Sequence, residues 1–530
     1  MRDNLKQCIN GHFSCRTNAD DVAYMPTRVL DLGVVDDERA PVRLVESTHI
    51  VDDRSYACLS HRWDSLGRTI ITEKATYEKH RDCIRFEDLG LPYRETVHIM
   101  RRLCMRYLWI DSLCIIQDSA KDWESESKTM ATVYNRAVFT LARQCDSTTS
   151  LRCIPDHTHL VSDPRISPPV YTRPAFKHLW NQLDGLYKFQ LAERGWIYQE
   201  RLLSPRTIHF SDEEIFWECY KNSSCQCDRG VPHEIALHYE LPKFHHAKAL
   251  LLGDLTSKPE VATLRKRWRQ IVEEYSGLDL TKSSDKLYAI QGCADQIGER
   301  LNESYLFGLW QGDLLGDLAW GKGCKKPRPT GQHCIPTWSW ASTDGQVSYV
   351  NINHVLSHIQ LAIEPGPDES HLTPSILLLT GRILPASLKI ARYSMNYDRE
   401  TWSWNGLRIE VNSDFSKEDS KSTWLTKPGC GSDFFQDFEM RTADWDCETQ
   451  YDISLALLGR SNIHVQHQHC LVLWRYGRGI PGPGVERETV DKHPIYQRIG
   501  MLYMNVDLQR RNHRAIVDWS KADEVTVAIE

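Results

Sequence analysis

Two carboxylates stand at a strand-to-helix junction of this 530-residue chain, where acid–base or charge-stabilising chemistry is commonly done. Asp111 follows the apolar run Tyr107, Leu108, Trp109, Ile110, which reads as a strand covered on both faces. It therefore sits at the carboxyl end of a strand, the edge of an open α/β sheet at which ligands bind. Glu126 falls on the apolar stripe of the next helix with Trp123, Met130, Val133 and Tyr134, while Lys128 and Thr132 point away. A carboxylate on an apolar face is paired, protonated or used. Two readings follow: a structural acid that holds an Arg or a backbone donor, or a catalytic one. A second polar edge follows YACLS at 56–60, where Ser60 and His61 run into Arg62, Trp63 and Asp64. Neighbours in a strand point to opposite faces, so Ser60 and His61 are not expected to form a nucleophile–base pair, and there is no G-x-S-x-G elbow.

A different chemistry is offered by Cys8, His12 and Cys15, spaced C-x3-H-x2-C. Thiolate and imidazole at that spacing can begin a zinc site, with Cys219, Cys225 or Cys227 as the fourth ligand. The remaining cysteines of the 17 show no regular framework, which suits reduced thiols. A group at His464, His467, His469 and Cys470 reads more simply as the polar entry of a strand.

The elements that must position these groups alternate in the first 150 residues: the strand YACLS, a helix opened by Pro92 with Val97, Met100, Leu103 and Cys104 on one side, the Tyr107 strand, the Glu126 helix, and a strand over 137–142. Such alternation predicts a parallel sheet flanked by helices. Ser119 and Asp122 give the Glu126 helix a capping-box start. Residues 151–190 read as an irregular insertion, and 191–220 as a short helix followed by a hairpin. Helical patterns occupy 226–330, and strand-like runs between Gly, Pro, Asn and Asp clusters fill 331–530, with a polar, acidic loop expected over 412–450. The 17 Trp fit a packed globular chain, and the net charge of −7 argues against a nucleic-acid binder. No run approaches a membrane span; a cytoplasmic location is expected.

Three blocks carry a family resemblance: YACLSHRW at 56–63, the segment LPYRETVHIMRRLCMRYLWIDSLCIIQDSAKDWESESKTMATVYNRA at 91–137, and RGWIYQERLLSPRTIHF at 194–210. They resemble the fungal heterokaryon incompatibility (HET) domain proteins, and DKLYAIQGCA at 285–294, YLFGLWQGDLLGDLAW at 305–320, PTWSWASTDG at 336–345 and YQRIGML at 496–502 are similar to segments that accompany that domain. This chain departs from the family in having Asp64 where Gly usually follows the Trp. The resemblance implies a HET domain over 1–225 (core 50–145 and 191–220), then a helical region and a β-rich C-terminal domain. It implies a role in self/non-self recognition and regulated cell death.

HET domains are in turn similar to Toll/interleukin-1 receptor-like (TIR) domains, a flavodoxin-like fold of which some members hydrolyse NAD. On that likeness NAD is the expected substrate and no cofactor is required, zinc apart. Glu126 is then the catalytic carboxylate, Arg62 holds the pyrophosphate, and Asp111 orients Arg62 or a hydroxyl. Trp63 stacks on a ring, and Ser60, His61, Gln117 and Trp123 complete the substrate contacts. Gln199, Glu200 and Arg201, beside Trp196, read as a salt-bridged helix surface in preference to a pocket wall. Two other functions are open: a non-catalytic module that self-associates or binds an incompatibility partner, and a biosynthetic enzyme acting on a small molecule.

Overall fold

The computed structural model describes residues 2–12, 15, 24–33, 37–51, 53–63, 70–144, 190–211, 215–221, 223–225, 260–322, 335–350, 376–397, 400–411, 450–462, 466–475, 493–505, 522–529 and short segments between them. Two compact units form, one of Met1–Arg267 with Tyr288–Arg300, the other of Trp268–Leu287 with Leu301–Glu530.

The first unit is α/β. Its helices are α1 (Arg2–Gly11), α2 (Tyr77–Asp82), α3 (Leu91–Arg102), α4 (Asp111–Cys114), α5 (Ala120–Arg136) and α6 (Gly195–Leu203). Its strands are β1 (Arg28–Asp31), β2 (Arg43–Glu46), β3 (Tyr56–Ser60), β4 (Tyr107–Ile110), β5 (Thr140–Arg143), the isolated pair β6 (His159–Leu160) and β7 (Tyr171–Thr172), then β8 (Arg206–Phe210), β9 (Ile215–Cys219) and β10 (Ser223–Cys225). Eight of them make one sheet in the order β10-β9-β8-β5-β3-β4-β1-β2. The centre, β4-β3-β5-β8, is parallel.

The sheet is mixed rather than purely parallel, because an antiparallel hairpin closes each edge: β1–β2 beside β4, and β9–β10 beside β8. β1 and β2 have four residues each, too few to show a period. From β3 the chain crosses to β4 on one side, then returns past β3 to β5 on the other. The strand order therefore reverses at β3, and the carboxyl ends of β3 and β5 flank a topological switch point.

The central strands are short and bulky because they are covered on both faces, and every residue of β3, β4 and β5 is buried. Tyr56 Oη donates to Val133 O of α5 at 2.7 Å, while His61 reaches Tyr93 of α3 at 2.8 Å. Residues of odd and even number along β3 thus face helices on opposite sides of the sheet. α3 begins with Pro in its first turn and ends with Arg101 and Arg102, suited to the helix dipole. Cys104, expected on its apolar side, is instead exposed with φ 64°, because it takes the left-handed position that terminates the helix. Ser119 caps α5 by accepting from Asp122 N at 3.4 Å, but the Asp122 carboxylate turns away to Arg28, so only half of the capping box forms.

Gly292, on the helix Tyr288–Leu301, is where that helix closes on α5 and α6: an added Cβ would lie 2.1 Å from Ala131 Cβ and 2.9 Å from Gln199 Oε1. Its N–H donates to Gln199 Oε1 at 2.7 Å. Gly292→Ala should therefore destabilise the chain by about 1–3 kcal/mol, read as a lower urea midpoint at unchanged slope.

The second unit is β-rich. Strands Ile376–Tyr397, Gln450–Asn462, Gln466–Arg475, His493–Asn505 and Asp523–Ile529 close into a barrel-like ring, since Ile376–Tyr397 pairs with both Gln450–Asn462 and Asp523–Ile529. Beside it Trp268, Trp310, Trp320, Trp338 and Trp340 are fully buried. Gly308 O accepts the indole N–H of Trp268 at 2.9 Å and of Trp340 at 3.0 Å, and Arg498 stacks 3.5 Å above the Trp320 ring. Of the expected acidic loop over 412–450, Ser432–Gln436 is a strand and Gln450 opens another. Residues 412–431 and 437–449 lie outside the described residues.

Candidate functional site

The carboxyl ends of β3 and β4 and one face of α6 bring a set of buried polar groups together. On one side of the sheet His61 Nε2 is 2.8 Å from Tyr93 Oη, which is 2.8 Å from Ser112 Oγ. Burial lowers the His61 pKa, so the imidazole is neutral near pH 7. Its Nδ1 makes no hydrogen bond and lies 3.9 Å from Asp111 Oδ1. Asp111 accepts the indole N–H of Trp63 at 2.9 Å and the backbone N–H of Ser112 at 2.7 Å. Gln117 Nε2 donates to Asp111 O at 3.0 Å, so Gln117 braces the turn.

On the other side of the sheet, Glu200 projects from α6. Its carboxyl accepts from the Tyr134 hydroxyl and has Ser60 beside it, yet Oε2 and Ser60 Oγ close no regular hydrogen bond with a described group. Burial pushes the Glu200 pKa up to about 7, against the lowering pull of the Ser60 and Tyr134 hydroxyls, and the Asp111 charge adds to the rise. Asp111 is thus the group that both halves of the cluster feel.

A carboxyl whose pKa rises from 4.5 to about 7 on folding adds stability that is complete below about pH 4.5 and is lost as pH rises through about 7. The loss is on the order of 3 kcal/mol. Urea unfolding across that window should show this slope in wild type and its removal in Glu200→Gln.

The other residues singled out in the sequence lie elsewhere. Glu126 is buried but committed to Arg28 of β1, 3.4 Å away, and Arg28 also pairs with Asp122 at 2.5 Å. Burial raises the Glu126 pKa, against the opposing pull of Thr27 and Arg28. Arg62 is exposed and has no partner among the described residues. Trp123 is 37% exposed, on the outer side of α5. Asp64 lies outside the described residues, as do His464, Cys227 and most of the 151–190 insertion.

The triplet 199–201 divides: Arg201 forms the expected ion pair, with Glu218 at 2.9 Å, whereas Gln199 and Glu200 are buried. Glu200 was not singled out for chemistry because α6 buries seven of its nine residues, leaving no polar face to read. The usable signal was an acid in so apolar a helix. At the opposite end of the sheet Cys8, His12, Cys15 and Cys219 come together, their ligand atoms all within 4.8 Å of one another.

A cavity of about 430 Å³ opens between β2 and α2, lined by Asp31, Arg43, Glu46, Arg81 and Arg106 among others. Its buried acid is already satisfied, since Asp31 pairs with Arg106 at 2.9 Å and Arg43 at 3.2 Å. Its volume does not make it a better candidate than the smaller set of unsatisfied groups at the switch point.

Residues 56–200 match the family model described as Heterokaryon incompatibility protein (HET), from the first residue of β3 to Glu200 itself. The chain carries a HET domain. The description of that family model points to heterokaryon incompatibility. No curated protein and no solved structure matches the chain significantly. Among the described residues no helix is long and apolar enough to cross a membrane.

Proposed function

We propose that the HET domain of this chain is a hydrolase of the nicotinamide glycosidic bond of NAD, acting as a cell-death effector in self/non-self recognition, with Glu200 as its carboxylate. The observation that carries the reading is Glu200 itself: a buried carboxyl with one unsatisfied oxygen, at a topological switch point, its pKa raised to about 7. The order of the parallel strands, β4-β3-β5-β8, agrees with a flavodoxin-like and hence TIR-like core, although each edge carries an added hairpin.

The reaction needs little of the protein. The C1′–N bond breaks with its electron pair leaving on nicotinamide, which departs neutral, so no strong general acid is required. Positive charge then spreads over C1′ and the ring oxygen, and a desolvated carboxylate stabilises it. Water adds through oxygen to C1′ and gives up one proton. A carboxylate with a pKa near 7 can accept that proton and pass it to solvent. The products are nicotinamide, ADP-ribose and a proton. The Ser60 and Tyr134 hydroxyls lie beside the carboxylate, and Asp111, held by Trp63 and Ser112, acts on it through its charge.

The test is nicotinamide release from NAD by the purified full chain, at protein concentrations high enough for self-association. Turnover supports the reading. A chain that binds partners or assembles yet releases no nicotinamide is a non-catalytic module, and the proposal fails.

A further inference from the structure

We infer that Cys8, His12, Cys15 and Cys219 bind one zinc ion that fastens the N-terminal helix to the edge of the HET-domain sheet. Cys8 and His12 are one helical turn apart, with His12 N donating to Cys8 O at 3.1 Å, and Cys15 follows with its N–H on His12 O at 3.1 Å. Cys219 arrives from the far end of β9, opposite Arg206 of β8.

The spacing of the donor atoms is that of a tetrahedral site. Zinc bonds of about 2.3 Å to sulfur and about 2.05 Å to nitrogen imply S···N edges of about 3.6 Å and S···S edges of about 3.8 Å. His12 Nδ1 lies 3.5 Å from Cys219 Sγ and 3.9 Å from Cys15 Sγ, and all four donors fall within 4.8 Å of each other. No disulfide joins the three thiols, each of which is buried. The charge also fits. Three thiolates and Zn²⁺ sum to −1, and the Arg206 guanidinium, 3.3 Å from Cys8 Sγ and bonded to Cys15 O, sits where an outer-shell cation and donor belongs.

Four protein ligands leave no open coordination position, so the ion is structural. Its place agrees: Arg206 opens β8, so the site is at the amino ends of the parallel strands, away from Glu200. The ion would link residues about 200 positions apart, and its binding energy becomes folding energy.

Metal analysis of the full chain, purified under reducing conditions, should find about one zinc per chain. Cys219→Ser and Cys15→Ser should lose most of it, while Cys83→Ser, outside the cluster, keeps it. Because ligand variants can misfold, the wild-type chain supplies independent readouts. A mercurial reagent should release the zinc. Cobalt exchanged for it should give the strong visible absorption of a tetrahedral thiolate site, and chelator should lower the melting temperature. Wild type that is folded, reduced, metal-free and unable to take up zinc or cobalt would overturn the inference. So would a native disulfide among Cys8, Cys15 and Cys219 on peptide mapping.

Discussion

Glu200→Gln is expected to reduce NAD turnover about 10²- to 10³-fold while the chain stays folded. The substitution keeps the shape of the side chain and its hydrogen bond with Tyr134, and removes only the charge and the titratable proton. Charge is what the reaction uses, because an amide neither stabilises an oxocarbenium-like ribose nor accepts the proton of the attacking water. The amide also ends the unfavourable approach of a second carboxylate to Asp111, so thermal stability above pH 7 should hold or rise. Loss of turnover with retained stability distinguishes a catalytic carboxylate from a structural one, whose neutralisation would cost both. Chromatography of nicotinamide release and a melting curve on the same preparation read the two quantities.

Arg28→Met should destabilise the chain by about 3–5 kcal/mol at neutral pH. Arg28 Nε donates to Cys114 O at 2.7 Å, and its Nη2 bridges Asp122 at 2.5 Å and Glu126 at 3.4 Å. It thereby joins β1 to the turn that carries Asp111 and to the start of α5. Methionine fills most of the volume but leaves two carboxylates without their cation in a buried setting. Glu126 can relieve the penalty by taking up a proton, so the loss should be smaller near pH 5 than near pH 8. Adding Glu126→Gln to Arg28→Met should recover part of the loss, a coupling that denaturant unfolding of the four proteins in a double-mutant cycle measures directly.

What could be read from the sequence follows from range. The Tyr107–Arg136 segment carries its own instructions: a bulky four-residue strand, a capping serine and a helical stripe that buries Glu126, Met130, Val133 and Tyr134. The C-x3-H-x2-C triplet was legible for the same reason, its members lying within eight residues. The partner that settles the state of Glu126 was not. Arg28 is 98 positions away on a four-residue strand too short for any periodicity. Trp123 shares the apolar stripe on a wheel, yet it lies in the first turn of α5, where the helix has not yet come under cover. Glu200 failed to stand out for the opposite reason. A helix buried on nearly all sides has no polar face, and only the fold shows that this acid meets Ser60 from a strand 140 residues earlier.

The proposed chemistry rests on Glu200 and not on Glu126. Glu200→Gln and Glu126→Gln, assayed side by side for nicotinamide release per folded molecule, test it most directly. Glu126→Gln should melt at lower temperature but turn over NAD as wild type does, while Glu200→Gln should stay folded and lose turnover about 10²- to 10³-fold. Activity retained in Glu200→Gln and lost in folded Glu126→Gln would contradict it.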